Sequence, residues 1–71
     1  MKLSEQARRG VIQAMSDTGI SAWKASVEAG FNQNQVARFV RGRNDMTLGN
    51  FEQLCEKGFK LKVRDVLGLG R

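Results

Sequence analysis

The sequence predicts a compact all-α domain of four to five helices, and three observations predict it. Apolar residues recur at three- and four-residue spacing through most of the chain. Several of the eight glycines fall where a periodic stretch should end, and proline is absent. The 71 residues leave room for one domain, residues 1–71, with a small core and modest stability.

The first helix is expected over residues 4–17. Ser4 serves as its N-cap, Glu5 complements the positive helix start, and Gly19 follows its end. Leu3, Ala7, Val11, Ala14 and Met15 form its apolar stripe, with Ile12 beside them. Gly10 lies inside it at a cost of about 1 kcal/mol relative to alanine. Ser21 then caps a second, short helix, Ala22 to Ala29, and Gly30 supplies the positive φ that a tight helix-to-helix turn needs.

The third helix is capped by Asn32 and runs from Gln33 to Arg41, ending at Gly42. At 100° per residue, Val36, Phe39 and Val40 fall on one side and Asn34, Arg38 and Arg41 on the other. After a polar loop, Thr47 caps a fourth helix with an apolar stripe of Leu48, Phe51, Leu54 and Cys55, closed by Gly58. Residues 61–67 read as a fifth short helix. A short strand over 59–63, where apolar and basic residues alternate, is the alternative there, and the tail from Gly68 is expected to fray.

Composition excludes more than it identifies. Histidine is absent, so the commonest general base and metal ligand is missing, and the single cysteine can build neither a disulfide nor a thiolate metal cage. The acidic residues do not cluster, and no glycine-rich phosphate loop is present. The expectation is therefore no enzyme, no metal, no cofactor and no small-molecule substrate. No apolar run approaches the roughly 18 residues of a membrane span, and the N-terminus lacks a signal-peptide stretch. A cytoplasmic protein of a bacterial or phage-infected cell, with no membrane partner, is expected.

The net charge of +5 is uneven: residues 1–37 carry +1 and residues 38–71 carry +4. A basic face of this kind points to a polyanion. Two short helices joined through Gly30, with Ala25, Ala29, Val36 and Phe39 facing inward and Phe31 plugging the turn, form a helix-turn-helix arrangement over about residues 21–41. Glutamine and asparagine pair bidentately with adenine, and arginine pairs with guanine or phosphate. Base contacts to double-stranded DNA are accordingly assigned to Gln33, Asn34, Gln35 and Arg38. Phosphate contacts go to Lys24, Arg41, Arg43 and Asn44, with the amides at the starts of both helices. Lys57, Lys60, Lys62 and Arg64 read as solvated charge, Cys55 as core, and Trp23 as packing against the first or fourth helix.

The stretch Gly19-Ile20-Ser21-Ala22-Trp23-Lys24-Ala25-Ser26-Val27-Glu28-Ala29-Gly30-Phe31 resembles the second helix and turn of the lambda-repressor-like family of phage repressors, Cro proteins and Xre-type regulators. Residues 32–42 resemble that family's recognition helix with its closing glycine, and Thr47 to Cys55 the helix that follows. The chain departs from the family at three positions. Ser26 stands where alanine is usual, Ala22 where a phosphate-touching glutamine is common, and Trp23 is unusual at its place. The resemblance implies a Cro-like repressor that binds a two-fold operator as a homodimer and acts by steric exclusion of polymerase. A second reading is a protein-interaction module, such as the antitoxin of a toxin–antitoxin pair or a phage inhibitor of a host factor.

Overall fold

The computed structural model describes residues 3–71, except for the side chain of Leu3, which the sequence placed in the first helix's apolar stripe. Among the described residues the fold is all-helical, with five α-helices: α1 (Leu3–Thr18), α2 (Ala22–Glu28), α3 (Gln35–Val40), α4 (Leu48–Gln53) and α5 (Val63–Leu69). The core is built from Ala7, Val11 and Ala14 of α1, Ala25 and Ala29, Val36 and Phe39, Phe51, Leu54, Cys55 and Phe59, and Val66 of α5. No helix among the described residues is long and apolar enough to cross a membrane.

Helix α1 begins before Ser4, so Ser4 lies in its first turn and is not its cap. At the other end Thr18 Oγ1 donates to the Ala14 carbonyl at 2.7 Å. Gly19 turns the chain out at φ +72°, and its N–H donates to the Met15 carbonyl. Ile12 is about half exposed, just outside the buried stripe.

Ser21 caps α2 as expected, its hydroxyl accepting from the Lys24 N–H at 3.1 Å. Gly30, at φ +82°, ends the helix: its N–H donates to the Val27 carbonyl, and the Phe31 N–H donates to the Ser26 carbonyl. That paired motif satisfies carbonyls the helix end leaves free.

The third helix starts later than its polarity pattern implies. Asn32 Oδ1 accepts from the Asn34 N–H at 2.9 Å, which winds Gln33 and Asn34 into a tighter turn leading into α3. Arg41 is the C-cap residue. Gly42 at φ +76° closes the helix, with the Arg43 N–H donating to the Arg38 carbonyl at 2.9 Å.

Beyond α4, which Thr47 caps through the Asn50 N–H at 3.2 Å, the chain does not stop at Gly58. It continues as a π-helical segment, Leu54–Phe59, that buries Leu54, Cys55, Gly58 and Phe59 together. A Cβ on Gly58 would stand 3.0 Å from the Ala25 carbonyl oxygen, so this glycine serves the close approach to α2, and Lys60, at φ +59°, makes the left-handed exit. Leu48, expected in the buried stripe, is 65% exposed, because α4 turns Phe51 and the π-helical segment inward instead. Burial, with the neighbouring Glu56 charge, pushes the Cys55 thiol up to about 12, as a core cysteine requires.

The strand alternative over 59–63 is not realised: Phe59 ends the π-helical segment, and α5 runs from Val63 through Gly68 to Leu69. Nor does the tail fray as expected. Gly70 is buried against α1, where a Cβ would overlap the Gln6 carbonyl, and a Cβ on Gly10 would overlap the Val66 carbonyl. These two glycines let the backbones of α1 and α5 touch, and Gln6 Nε2 donates to the Leu67 carbonyl at 2.8 Å across the contact.

Candidate functional site

The polar face of α3 is useful only if the helix is held rigidly, and three side chains hold it. Ser26 is fully buried on α2; its hydroxyl donates to the Ala22 carbonyl at 2.8 Å and accepts from the Val36 N–H at 3.1 Å. It thereby meets one of the orphan donors at the start of α3 with a group on α2. Ala25 and Ala29 are small enough to let the two helices approach, and they pack with Val36 and Phe39 in the core.

Arg8 of α1 secures the other end. Its Nε donates to the Phe39 carbonyl at 2.7 Å, and its guanidinium stacks 5.2 Å from the Phe39 ring centroid. An Arg8–Asp45 contact of 3.6 Å extends this tie to the loop after α3. Gln53 Nε2 donates to the Ala29 carbonyl, fastening α4 to the turn between α2 and α3. Phe31 is half-buried against the core, as the plug of that turn.

With Val36 and Phe39 buried, Gln33, Asn34, Arg38 and Arg41 are left exposed on the outer side of α3 and of the turn that leads into it. Gln35, expected in the same row, is half-buried, one residue round the helix toward the core. Lys24 is exposed near the start of α2, and Arg43 and Asn44 are exposed immediately after α3. The one ion pair among the described residues joins Arg8 to Asp45, so Lys24, Arg38, Arg41 and Arg43 have no acidic partner there. Of the amides expected to face phosphate, those of Lys24, Asn34 and Val36 already donate to Ser21, Asn32 and Ser26. Lys57, Lys60, Lys62 and Arg64 are exposed, as expected of solvated charge.

Trp23 is the main correction. It is not packed into the core between the helices: it is 57% exposed, and its indole Nε1–H donates to Gln33 Oε1 at 3.2 Å. The cause is visible in α2, where Ala22, Ala25, Ser26 and Ala29 make the inward stripe at i, i+3, i+4 and i+7. Trp23 and Val27 stand together one residue round, and Val27 is 46% exposed. The same spacing can be read in the sequence, but tryptophan's usual burial argues against the placement.

The exposed surface therefore has two ends. At one, the Trp23 indole of α2 meets Gln33 of the turn into α3, and Lys24 is exposed next to Trp23 in the chain. At the other, Arg41, Arg43 and Asn44 follow the end of α3, with Asn34 and Arg38 between. It offers amide donors and acceptors flanked by cations. Comparison with family models, with curated proteins and with solved structures returns no match.

Proposed function

We propose that this chain is a sequence-specific double-stranded DNA-binding regulator with a lambda-repressor-like helix-turn-helix, in which α3 enters the major groove. One observation carries the reading: Asn34 at the N-cap, Arg38 in the body and Arg41 at the C-cap of α3 stand exposed, while Val36 and Phe39 of that short helix are buried and its two ends are tied to α2 and α1. A helix so anchored presents amide and guanidinium groups at fixed positions, which is what reading base edges requires. In this reading Gln33, Asn34 and Arg38 contact bases, with half-buried Gln35 at the margin. Lys24, Arg41, Arg43 and Asn44 contact phosphates.

The protein acts as a homodimer on DNA, with half-sites about 34 Å apart, and represses by occupying a site that polymerase needs. Selection of bound fragments from random duplex DNA tests this, and a two-fold symmetric motif is expected. Asn34→Ala or Arg38→Ala should weaken binding to that motif by about 1–3 kcal/mol and relax preference at one base pair per half-site. Arg43→Ala should weaken binding to all duplexes alike. If Asn34→Ala and Arg38→Ala both leave motif affinity unchanged in a gel-shift titration, α3 is not the reading element.

A further inference from the structure

We infer that Trp23 is a positioning residue for base readout: its indole fixes the orientation of the Gln33 side-chain amide, so that the amide offers donors to the base it faces. The inference rests on the DNA-binding reading of α3. An indole N–H can only donate, so the Gln33 atom 3.2 Å from it is the carbonyl oxygen, and the amide nitrogen with its two hydrogens is turned the other way. Without Trp23, an exposed glutamine amide flips freely and presents donor and acceptor edges with little bias. Trp23 itself is carried on α2, which Ser26 and the Phe31 turn lock to α3, so the constraint comes from the scaffold.

The consequence is a base preference. Guanine O6 and N7, thymine O4 and adenine N7 are acceptors in the major groove, whereas cytosine shows only its N4–H donors. A Gln33 held with its nitrogen outward favours the acceptor edges and disfavours cytosine at the base it faces.

The experiment compares motifs selected from random duplex DNA by the parent chain, Gln33→Ala, Trp23→Phe and Trp23→Gln. Gln33→Ala identifies the base position that Gln33 reads. Trp23→Phe keeps an aromatic ring but removes the donor. It should lower discrimination against cytosine at that position by about 2- to 10-fold, the range of one neutral hydrogen bond. Preferences elsewhere and affinity for unrelated duplex should stay as in the parent. Trp23→Gln, which restores an N–H donor, should recover part of the lost discrimination.

Trp23→Phe and Trp23→Gln both matching the parent at the Gln33 position would overturn the inference, as would a uniform loss of preference at every position. A parent motif with cytosine facing Gln33, or one that Gln33→Ala leaves intact, also overturns it while the DNA-binding reading stands. A parent chain that binds no duplex removes both.

Discussion

Ser26 shows how much a single hydroxyl can decide. It sits in the seam between α2 and α3, fully buried, and gives the Val36 N–H the acceptor that the start of a helix lacks. Ser26→Ala should cost about 1–2 kcal/mol, because the amide is left buried without a partner. The loss should appear as a lower urea midpoint with an unchanged slope; an unchanged midpoint would mean that the Val36 N–H finds another acceptor. The exposure of Asn34, Arg38 and Arg41 was legible in the sequence, because the spacing of Val36 and Phe39 leaves those residues no inward position. The roles of Arg8, Gln53 and Trp23 were not. Each acts on a residue 10 or more positions away, so no local periodicity encodes it.

At the scale of elements, the same residue type carries opposite meanings. Gly10 and Gly49 both lie inside helices, but a Cβ on Gly10 would overlap the Val66 carbonyl, whereas one on Gly49 would meet nothing within 4 Å. Gly49→Ala should therefore stabilise by up to about 1 kcal/mol through helix propensity. Gly10→Ala should destabilise by about 1–3 kcal/mol despite that same propensity, since α1 and α5 must separate. Thermal melts of the two variants should move in opposite directions, and a rise in both would contradict the backbone contact described for α1 and α5. Ser21, Gly30, Gly42 and Thr47 mark helix ends where the sequence placed them, whereas Ser4 lies within α1, Asn32 stands ahead of the Asn34 N-cap of α3, and the chain runs helically through Gly58. The π-helical segment and the docked tail were not legible in the sequence, because both are set by packing against α2 and α1 that no local pattern records.

For the molecule as a whole, size and charge point the same way. The Cα trace extends 28 × 23 × 20 Å, so two copies side by side come within side-chain reach at the roughly 34 Å that separates half-sites one helical turn apart. In the proposed reading one copy alone would offer a single short helix to the groove, and a second copy would add the surface that tight specific binding draws on. The net charge of +5, concentrated after residue 37, would supply the sequence-independent attraction in that reading. Lys24, Arg41 and Arg43 are the cations assigned to phosphate, six of them in a dimer, and releasing one counterion at each gives a salt slope of about −5 in log K against log salt.

The fluorescence of Trp23, the chain's one tryptophan, sits at the edge of the proposed contact and reports binding without a label. The most direct measurement is a titration of the purified full chain with its selected duplex at several salt concentrations, followed by that emission. Saturable binding, a slope of about −5 and a shallower slope in Arg43→Ala are expected. A chain whose emission and mobility ignore duplex DNA even at low ionic strength would contradict the account.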